Sequence, residues 1–191
     1  MTCGAPTSAI CSTPALTWRP SSGWPATASS WHGTHVAGTI GANGDNGQDV
    51  AGVNWGAGIL PVRVLGRCGG YISDIADGAR WAAGLPVEGA PPNPHPARVL
   101  NFSLGGPGTC GSLYRDLFND LHAAGVVAVD AAGNRSGLAD FYNPASCPHA
   151  LTVAATTRTG NAAYYTNYGS SVEISAPGGE TKPNPGDGVL S

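Results

Sequence analysis

Two histidines stand three residues apart in the segment Trp31-His32-Gly33-Thr34-His35. A histidine at the start of a helix and followed by glycine, as His32 is, can point into an open cleft, where imidazole is suited to moving protons. A hydrogen-bonded structural histidine is the alternative. A metal pair is not favoured, because the spacing differs from the i, i+4 spacing of an HExxH helix and no Glu lies between His32 and His35.

Three glycine-rich segments offer further places for a ligand. They are GRCGGY at 66–71, SLGGPG at 103–108 and DAAGN at 130–134. Each follows a predicted strand, and in open α/β sheets ligands bind beyond the carboxyl ends of the strands. Glycine allows a ligand to approach the backbone closely. The sequence therefore predicts a binding site at this edge of a sheet.

Four mostly apolar runs predict strands of a parallel sheet that is covered on both faces. They are 59–65, 98–104, 125–129 and 150–155. Between them, apolar residues at helical spacing predict helices in 73–84 and 112–125, with Ser73 as a cap and with Gly84 and Gly125 at the ends. This alternation predicts an α/β fold, a doubly wound, mainly parallel sheet with helices on both faces.

Composition narrows the class of protein. The 191 residues are enough for one domain or part of one, and 41% of them are hydrophobic. Charged residues make up only 11%, which argues against a coiled coil, a charged helical bundle or a disordered charged tail. A net charge of −3 gives no basic surface for nucleic acid, and no stretch of apolar residues is long enough to span a membrane. We therefore expect neither a nucleic-acid nor a membrane partner.

Four blocks, in order, resemble those of the subtilisin-like serine proteases, the subtilases. HGTHVAGTI at 32–40 is similar to their histidine motif, NFSLGG at 101–106 to their substrate-binding strand, AAGN at 131–134 to their oxyanion segment, and SAPGG at 175–179 to their APG turn. The loops GRCGGY and GPGTC are most similar to those of a secreted bacterial subgroup. The resemblance covers about 30–191 and implies a serine-type endopeptidase that acts on polypeptides.

The resemblance implies a role for each matched residue. His32 would be the general base, which takes the proton of the nucleophile and passes it to the leaving amine, while His35 would be structural. The side-chain amide of Asn134 would donate to the oxyanion of the tetrahedral intermediate. The substrate backbone would lie between two strand edges, one of Ser103, Leu104 and Gly105, the other of Gly69 and Gly70.

The same resemblance implies a pocket for one substrate side chain. Ala131 and Gly133 would line it, and their small size predicts room for a large apolar or aromatic side chain. The Asn143–Pro144 bond matches a position where the family often has a cis proline.

Two members of the family's Asp, His, Ser triad are not matched. No acidic residue precedes Asp45, and no Gly-Thr-Ser-Met-Ala block lies between the APG turn and Ser191. We therefore expect the chain as given to be catalytically incomplete. The alternative function is that of a non-catalytic, truncated subtilase fragment that at most binds peptide. A nucleotide-binding protein is set aside, because no GxGxxG or GxxxxGK[ST] follows a strand.

Asp130 is unusual for this resemblance, because it stands where the family's strand is usually apolar. A buried carboxylate without a partner is costly, so the group must be paired, protonated or exposed. We expect no catalytic role for it.

Five cysteines occur without a CxxC motif, which argues against a zinc ribbon. Cys68 and Cys110 lie in loops that leave the ends of neighbouring predicted strands. We expect a disulfide bond between them, which would imply secretion, while two buried free thiols are the alternative. The partner of Cys147 is left open.

The loop at 43–49 carries Asn43, Asp45 and Asp49, whose oxygens suit calcium. The family often binds calcium in this loop, so a structural calcium ion is one expectation and a polar solvent loop the other. No cofactor is expected for the chemistry itself.

The first 29 residues are rich in Ser, Thr, Ala and Pro. We expect 1–29 to be a poorly structured leader outside the family resemblance, and 30–191 to be a partial subtilisin-like domain. We expect that this segment is not a signal peptide, since it lacks a basic start and Pro6, Pro14 and Pro20 interrupt it. A secreted monomer whose signal peptide is absent from this chain is the resulting expectation.

Overall fold

Helices and strands are interspersed along the described part of the chain. The structure is a computed structural model that describes residues 30–47, 50–66, 69–180, 182 and 184–189, with the backbone alone at 30–32 and 185. The helices are α1 (Ser30–Gly41), α2 (Ile72–Ala82) and α3 (Ser112–Ala123). The strands are β1 (Val99–Phe102), β2 (Gly106–Pro107), β3 (Val127–Ala131), β4 (Tyr142–Asn143), β5 (Ala150–Thr156) and β6 (Ile174–Pro177), and short 3-10 helices lie at Ala139–Phe141 and Pro185–Asp187. The predicted leader lies outside the described residues.

The main sheet is parallel, with strand order β1-β3-β5-β6. Its register places Asn101 beside Val129 and Val129 beside Leu151. The α/β fold is confirmed, as are the strands predicted in 98–104, 125–129 and 150–155. A separate antiparallel ribbon joins β2 to β4. Among the described helices, none is long and apolar enough to cross a membrane.

The prediction of a strand at 59–65 is wrong. Leu60, Val62 and Val64 are half-buried against the core, while Ile59 and Arg63 are exposed, so the side chains alternate as in a strand. However, the segment pairs with no strand among the described residues, and an apolar alternation without a ladder of hydrogen bonds is only an extended segment.

The core lies between one face of the sheet and the helices α2 and α3. Phe102 of β1 packs on Phe118 of α3, with ring centroids 5.5 Å apart. On the opposite face, Val99, Val127 and Ile174 remain 59%, 46% and 48% exposed. The main core cluster is therefore built by alternate residues of the strands together with one face of each helix.

The predicted helix ends are right, but the predicted cap is not. Gly84 (φ 81°) and Gly125 (φ 70°) follow α2 and α3 in the left-handed conformation that glycine adopts readily. Ser73 lies inside α2, whose N-cap is Tyr71, and no side chain caps this end by a hydrogen bond.

Candidate active site

His32 lies in the first turn of α1, as predicted, and its side chain lies outside the described residues. The far end of α1 is held by the segment that follows it. Gly52 comes so close that a Cβ atom there would lie 2.4 Å from the backbone nitrogen of Ala42. Three backbone N–H groups donate to carbonyls at this end, at 2.9–3.0 Å: Gly52 to Ala42, Val53 to Thr39 and Asn54 to Ile40.

The predicted substrate strand and the predicted oxyanion segment lie at one edge of the sheet. Residues 103–105 follow β1 and residues 132–134 follow β3, and these strands are parallel neighbours with Phe102 beside Asp130. Ser103 and Gly105 are exposed, and so is Asn134. The side-chain amide of Asn134 makes no hydrogen bond with the described residues, so it is open to a ligand.

Tyr142 joins these two segments, and sequence reasoning missed it. A Cβ atom at Gly105 would lie 2.7 Å from Cε1 of Tyr142, and one at Gly133 would lie 2.8 Å from the same atom. Gly133 also has a φ of 104°, which disfavours any side chain. The predicted cis bond between Asn143 and Pro144 is confirmed.

Asn167 is a second residue that the sequence did not reveal. Its side chain is 1% exposed. The Nδ2 atom donates to the carbonyl of Ala132 at 2.8 Å, and Oδ1 accepts the N–H groups of Arg135 at 2.9 Å and Gly137 at 3.2 Å. The buried amide of Asn167 thus holds the loop that carries Asn134 by hydrogen bonds both before and after Asn134.

Replacing Asn167 with alanine is expected to lower the free energy of unfolding by about 2–3 kcal/mol, because buried backbone groups lose their partners. Hydrogen exchange should lose its protection at the amides of Arg135 and Gly137 in particular. Asn161→Ala is the control, since Asn161 is exposed and the one hydrogen bond of its side chain among the described residues goes to Thr159. Equal losses in the two variants would contradict this role for Asn167.

Gly69 and Gly70, the predicted second edge, are both exposed. Gly69 has a φ of 100° and its carbonyl accepts the N–H of Gly66 at 2.8 Å. A Cβ atom at Gly70 would lie 2.4 Å from the carbonyl oxygen of Val64, so only glycine fits there. Their pairing with a bound peptide stays a prediction.

The disulfide prediction is corrected by the structure. Cys110 is bonded to Cys147, with an S–S distance of 2.06 Å and Cα atoms 5.0 Å apart. A bond between Cys68 and Cys110 is therefore wrong, because a cysteine forms one disulfide, and Cys68 itself lies outside the described residues. The bond joins the loop before α3 to the segment before β5. These two segments are 37 residues apart in the sequence and lie side by side in the fold.

Asp130 is buried, 1% exposed, and neither carboxyl oxygen has a hydrogen-bond partner among the described residues. Burial raises its pKa to about 8, and the charge of Glu173 adds to the rise. The carboxyl group was expected to be paired, protonated or exposed, and the structure favours the protonated form. Burial also raises the pKa of Tyr114, to which the Asp130 charge contributes.

The loop expected to bind calcium is only partly described. Asn43 and Asp45 are exposed, while positions 48 and 49 lie outside the described residues. In the part of the chain that the structure covers, no three His, Cys, Asp or Glu side chains form a group that could hold a metal ion. The described residues alone do not make a calcium site.

Comparison with known proteins supports the resemblance. Residues 17–190 match the Subtilase family. The chain is 49% identical over 156 residues to an extracellular protease of Xanthomonas campestris pv. campestris, covering 82% of this chain and 27% of that protein. It is also 49% identical over 150 residues to an extracellular basic protease of Dichelobacter nodosus, covering 78% of this chain and 25% of that protein.

A solved structure is similar over most of the chain. It is a protease of Pseudoalteromonas arctica, with a TM-score of 0.78 and 47% identity, covering 85% of this chain and 51% of that one. The chain thus spans about a quarter of the length of the two curated relatives and about half of that solved chain.

Proposed function

The chain belongs to the subtilase family, and we propose that it forms the part of a secreted serine endopeptidase that binds the substrate peptide and stabilises the oxyanion. The observation that carries this proposal is the meeting of 103–105 and 132–134 at one edge of the sheet, both against the ring of Tyr142. The open amide of Asn134 lies at this edge, as an oxyanion donor must.

The chemistry would be acyl transfer, in which each matched residue has one task. His32, at the start of α1, would accept the proton of a serine nucleophile and deliver it to the leaving amine. Asn134 would donate a hydrogen bond to the oxygen that gains charge in the tetrahedral intermediate. No cofactor enters these steps, and a calcium ion in the loop at 43–49 would be structural.

The peptide would bind by strand addition to Ser103, Leu104 and Gly105 on one side and to Gly69 and Gly70 on the other. Such binding depends on backbone N–H groups of the peptide as much as on its side chains. Secretion is supported by the names of the extracellular relatives and by the disulfide, which is typical of oxidising compartments. We further propose that the chain is monomeric.

Titration of the 191-residue chain with a short peptide is the test. The backbone amides of 69–70 and 103–105 are expected to shift in NMR spectra, and the same peptide with N-methylated amides is expected to bind at least about tenfold more weakly, because each lost hydrogen bond is worth about 1 kcal/mol. The N-methylated peptide is a matched control that leaves the protein unchanged. Equal binding of both peptides, or shifts elsewhere only, would contradict the cleft.

The chain by itself is expected to give no turnover of a chromogenic peptide and no labelling by a fluorophosphonate, since no block of it matches the family's serine motif. Stoichiometric labelling would show that one of its own serines completes the site. Turnover that is lost in His32→Ala but kept in His35→Ala would show the same.

A further inference from the structure

Two histidines lie against each other at the edge of the sheet that is opposite to the cleft. The rings of His122 and His149 are stacked, with centroids 4.0 Å apart and planes inclined by 10°. His122 is in the last turn of α3, and His149 directly precedes β5. The pair therefore lies at the amino ends of the parallel strands, whereas the cleft lies at their carboxyl ends.

The ring nitrogens of both histidines are open to a ligand. Both residues are exposed, and neither imidazole makes a hydrogen bond with the described residues. His149 has a φ of 65°, a left-handed conformation that is uncommon for residues other than glycine, and the fold nevertheless holds an imidazole there. The unprotonated imidazole nitrogen is the commonest metal ligand that proteins offer.

The two imidazoles are carried by separately anchored segments. The carbonyl of His122 accepts the N–H of Gly125 at 3.0 Å, where α3 ends. His149 follows Cys147 by two residues, and the bond from Cys147 to Cys110 joins this segment to the start of α3. A metal ion between the imidazoles would join the same segment to the far end of α3, so the helix would be held at both ends.

We propose that His122 and His149 form a surface site for a divalent transition-metal ion such as Zn²⁺. Zn²⁺ binds imidazole nitrogens at about 2.0–2.1 Å, so two nitrogens on one tetrahedral ion lie about 3.3 Å apart. Rings whose centroids are 4.0 Å apart reach this spacing by rotation of their exposed side chains. No three His, Cys, Asp or Glu side chains form such a group in the described part of the chain, so water would complete the tetrahedron.

Titration of the 191-residue chain with Zn²⁺, followed by NMR of the imidazole C–H signals, tests the site. The signals of His122 and His149 are expected to shift together, with a single affinity. His122→Ala and His149→Gly are each expected to weaken this binding at least about tenfold, because the second imidazole of a chelating pair binds at a high effective concentration.

Both variants are expected to fold, which keeps the test decisive. Glycine suits the φ of 65° at position 149, and alanine is the best helix former for the exposed position 122. His95→Ala, at an exposed histidine of another loop, is the matched control and should bind Zn²⁺ as the wild type does. Zn²⁺ should also raise the midpoint of thermal unfolding of the wild type and this control more than that of either variant, since the pair exists only in the folded chain.

Several outcomes would overturn the inference. They are a shift of one of the two imidazoles without the other, shifts confined to other histidines, and unchanged Zn²⁺ binding in both His122→Ala and His149→Gly. Mg²⁺ prefers oxygen ligands and should shift neither ring, so an equal response to Mg²⁺ would also contradict the site. None of these measurements involves the peptide cleft, so their failure leaves the proposed function as it stands.

Discussion

Replacing Asp130 with asparagine is expected to stabilise the protein at pH 8 by several kcal/mol, on the order of 5 kcal/mol at most. The carboxyl group is 1% exposed, and neither of its oxygens has a hydrogen-bond partner among the described residues. Asparagine has nearly the same shape and does not ionise, so the substitution removes the proton uptake that burial imposes on the folded protein.

The effect should depend on pH in a defined direction. Burial, with a smaller contribution from Glu173, raises the pKa of Asp130 from 3.8 to about 8 in the folded protein. Between about pH 4 and pH 8 the unfolded chain has released this proton and the folded chain has not, so the stability of the wild type falls by about 1.4 kcal/mol per pH unit. Below this range the penalty is absent, and above it the penalty is complete and constant.

Urea denaturation of the wild type and Asp130→Asn from about pH 4 to about pH 9 measures this difference. The gap between the two proteins should open as the pH rises. Asp116→Asn is the control, because Asp116 is an exposed carboxylate on α3 and should change stability little. A gap that is the same at every pH would show that Asp130 is not the group that titrates.

The sequence was sufficient for those elements that a local pattern determines. The apolar runs that became β1, β3 and β5 could be predicted because strands buried in a parallel sheet are apolar on both faces. Gly84 and Gly125 marked helix ends because the left-handed conformation favours glycine. The segment 59–65 has the same apolar pattern, but a strand also needs a neighbouring strand to pair with, and a local pattern does not reveal that neighbour.

The site was predictable only where the resemblance supplied a motif. His32, Ser103 and Asn134 lie in such motifs, and the fold places the latter two at the same edge of the sheet. Tyr142 and Asn167 lie in no such motif. Tyr142 reaches the site through the β2–β4 ribbon and Asn167 through its buried amide, and each contacts a loop that is distant from it in the sequence. No local spacing encodes a contact of that kind.

The cysteine pairing failed for a related reason. Glycine-rich surroundings made Cys68 and Cys110 plausible partners, but a disulfide needs Cα atoms about 4.4–6.8 Å apart, which only the fold determines. Cys110 precedes α3 and Cys147 precedes β5, and packing of α3 against the strands brings these two loops together, with Cα atoms 5.0 Å apart.

Removing this bond is expected to cost about 4 kcal/mol of stability. The bond closes a loop of 37 residues, and restricting that loop in the unfolded chain gives this magnitude by the chain-entropy relation. The loop contains both Tyr142 and the segment that presents Asn134, so Cys110→Ala/Cys147→Ala should also loosen the site. For a domain of this size, the midpoint of thermal unfolding should fall by about 8–16 °C.

Thermal unfolding of the oxidised wild type, the double variant and Cys68→Ala decides the pairing. Cys68→Ala is the matched control, because the Cys110–Cys147 bond needs no sulfur from Cys68 and should remain, with nearly wild-type stability. Mass spectrometry of peptides from non-reduced protein should recover Cys110 linked to Cys147 in both the wild type and this control. A peptide that links Cys68 to Cys110, or a Cys68→Ala variant as unstable as the double variant, would contradict the pairing. Because a cysteine can form only one such bond, the two pairings exclude each other and the peptide map distinguishes them directly.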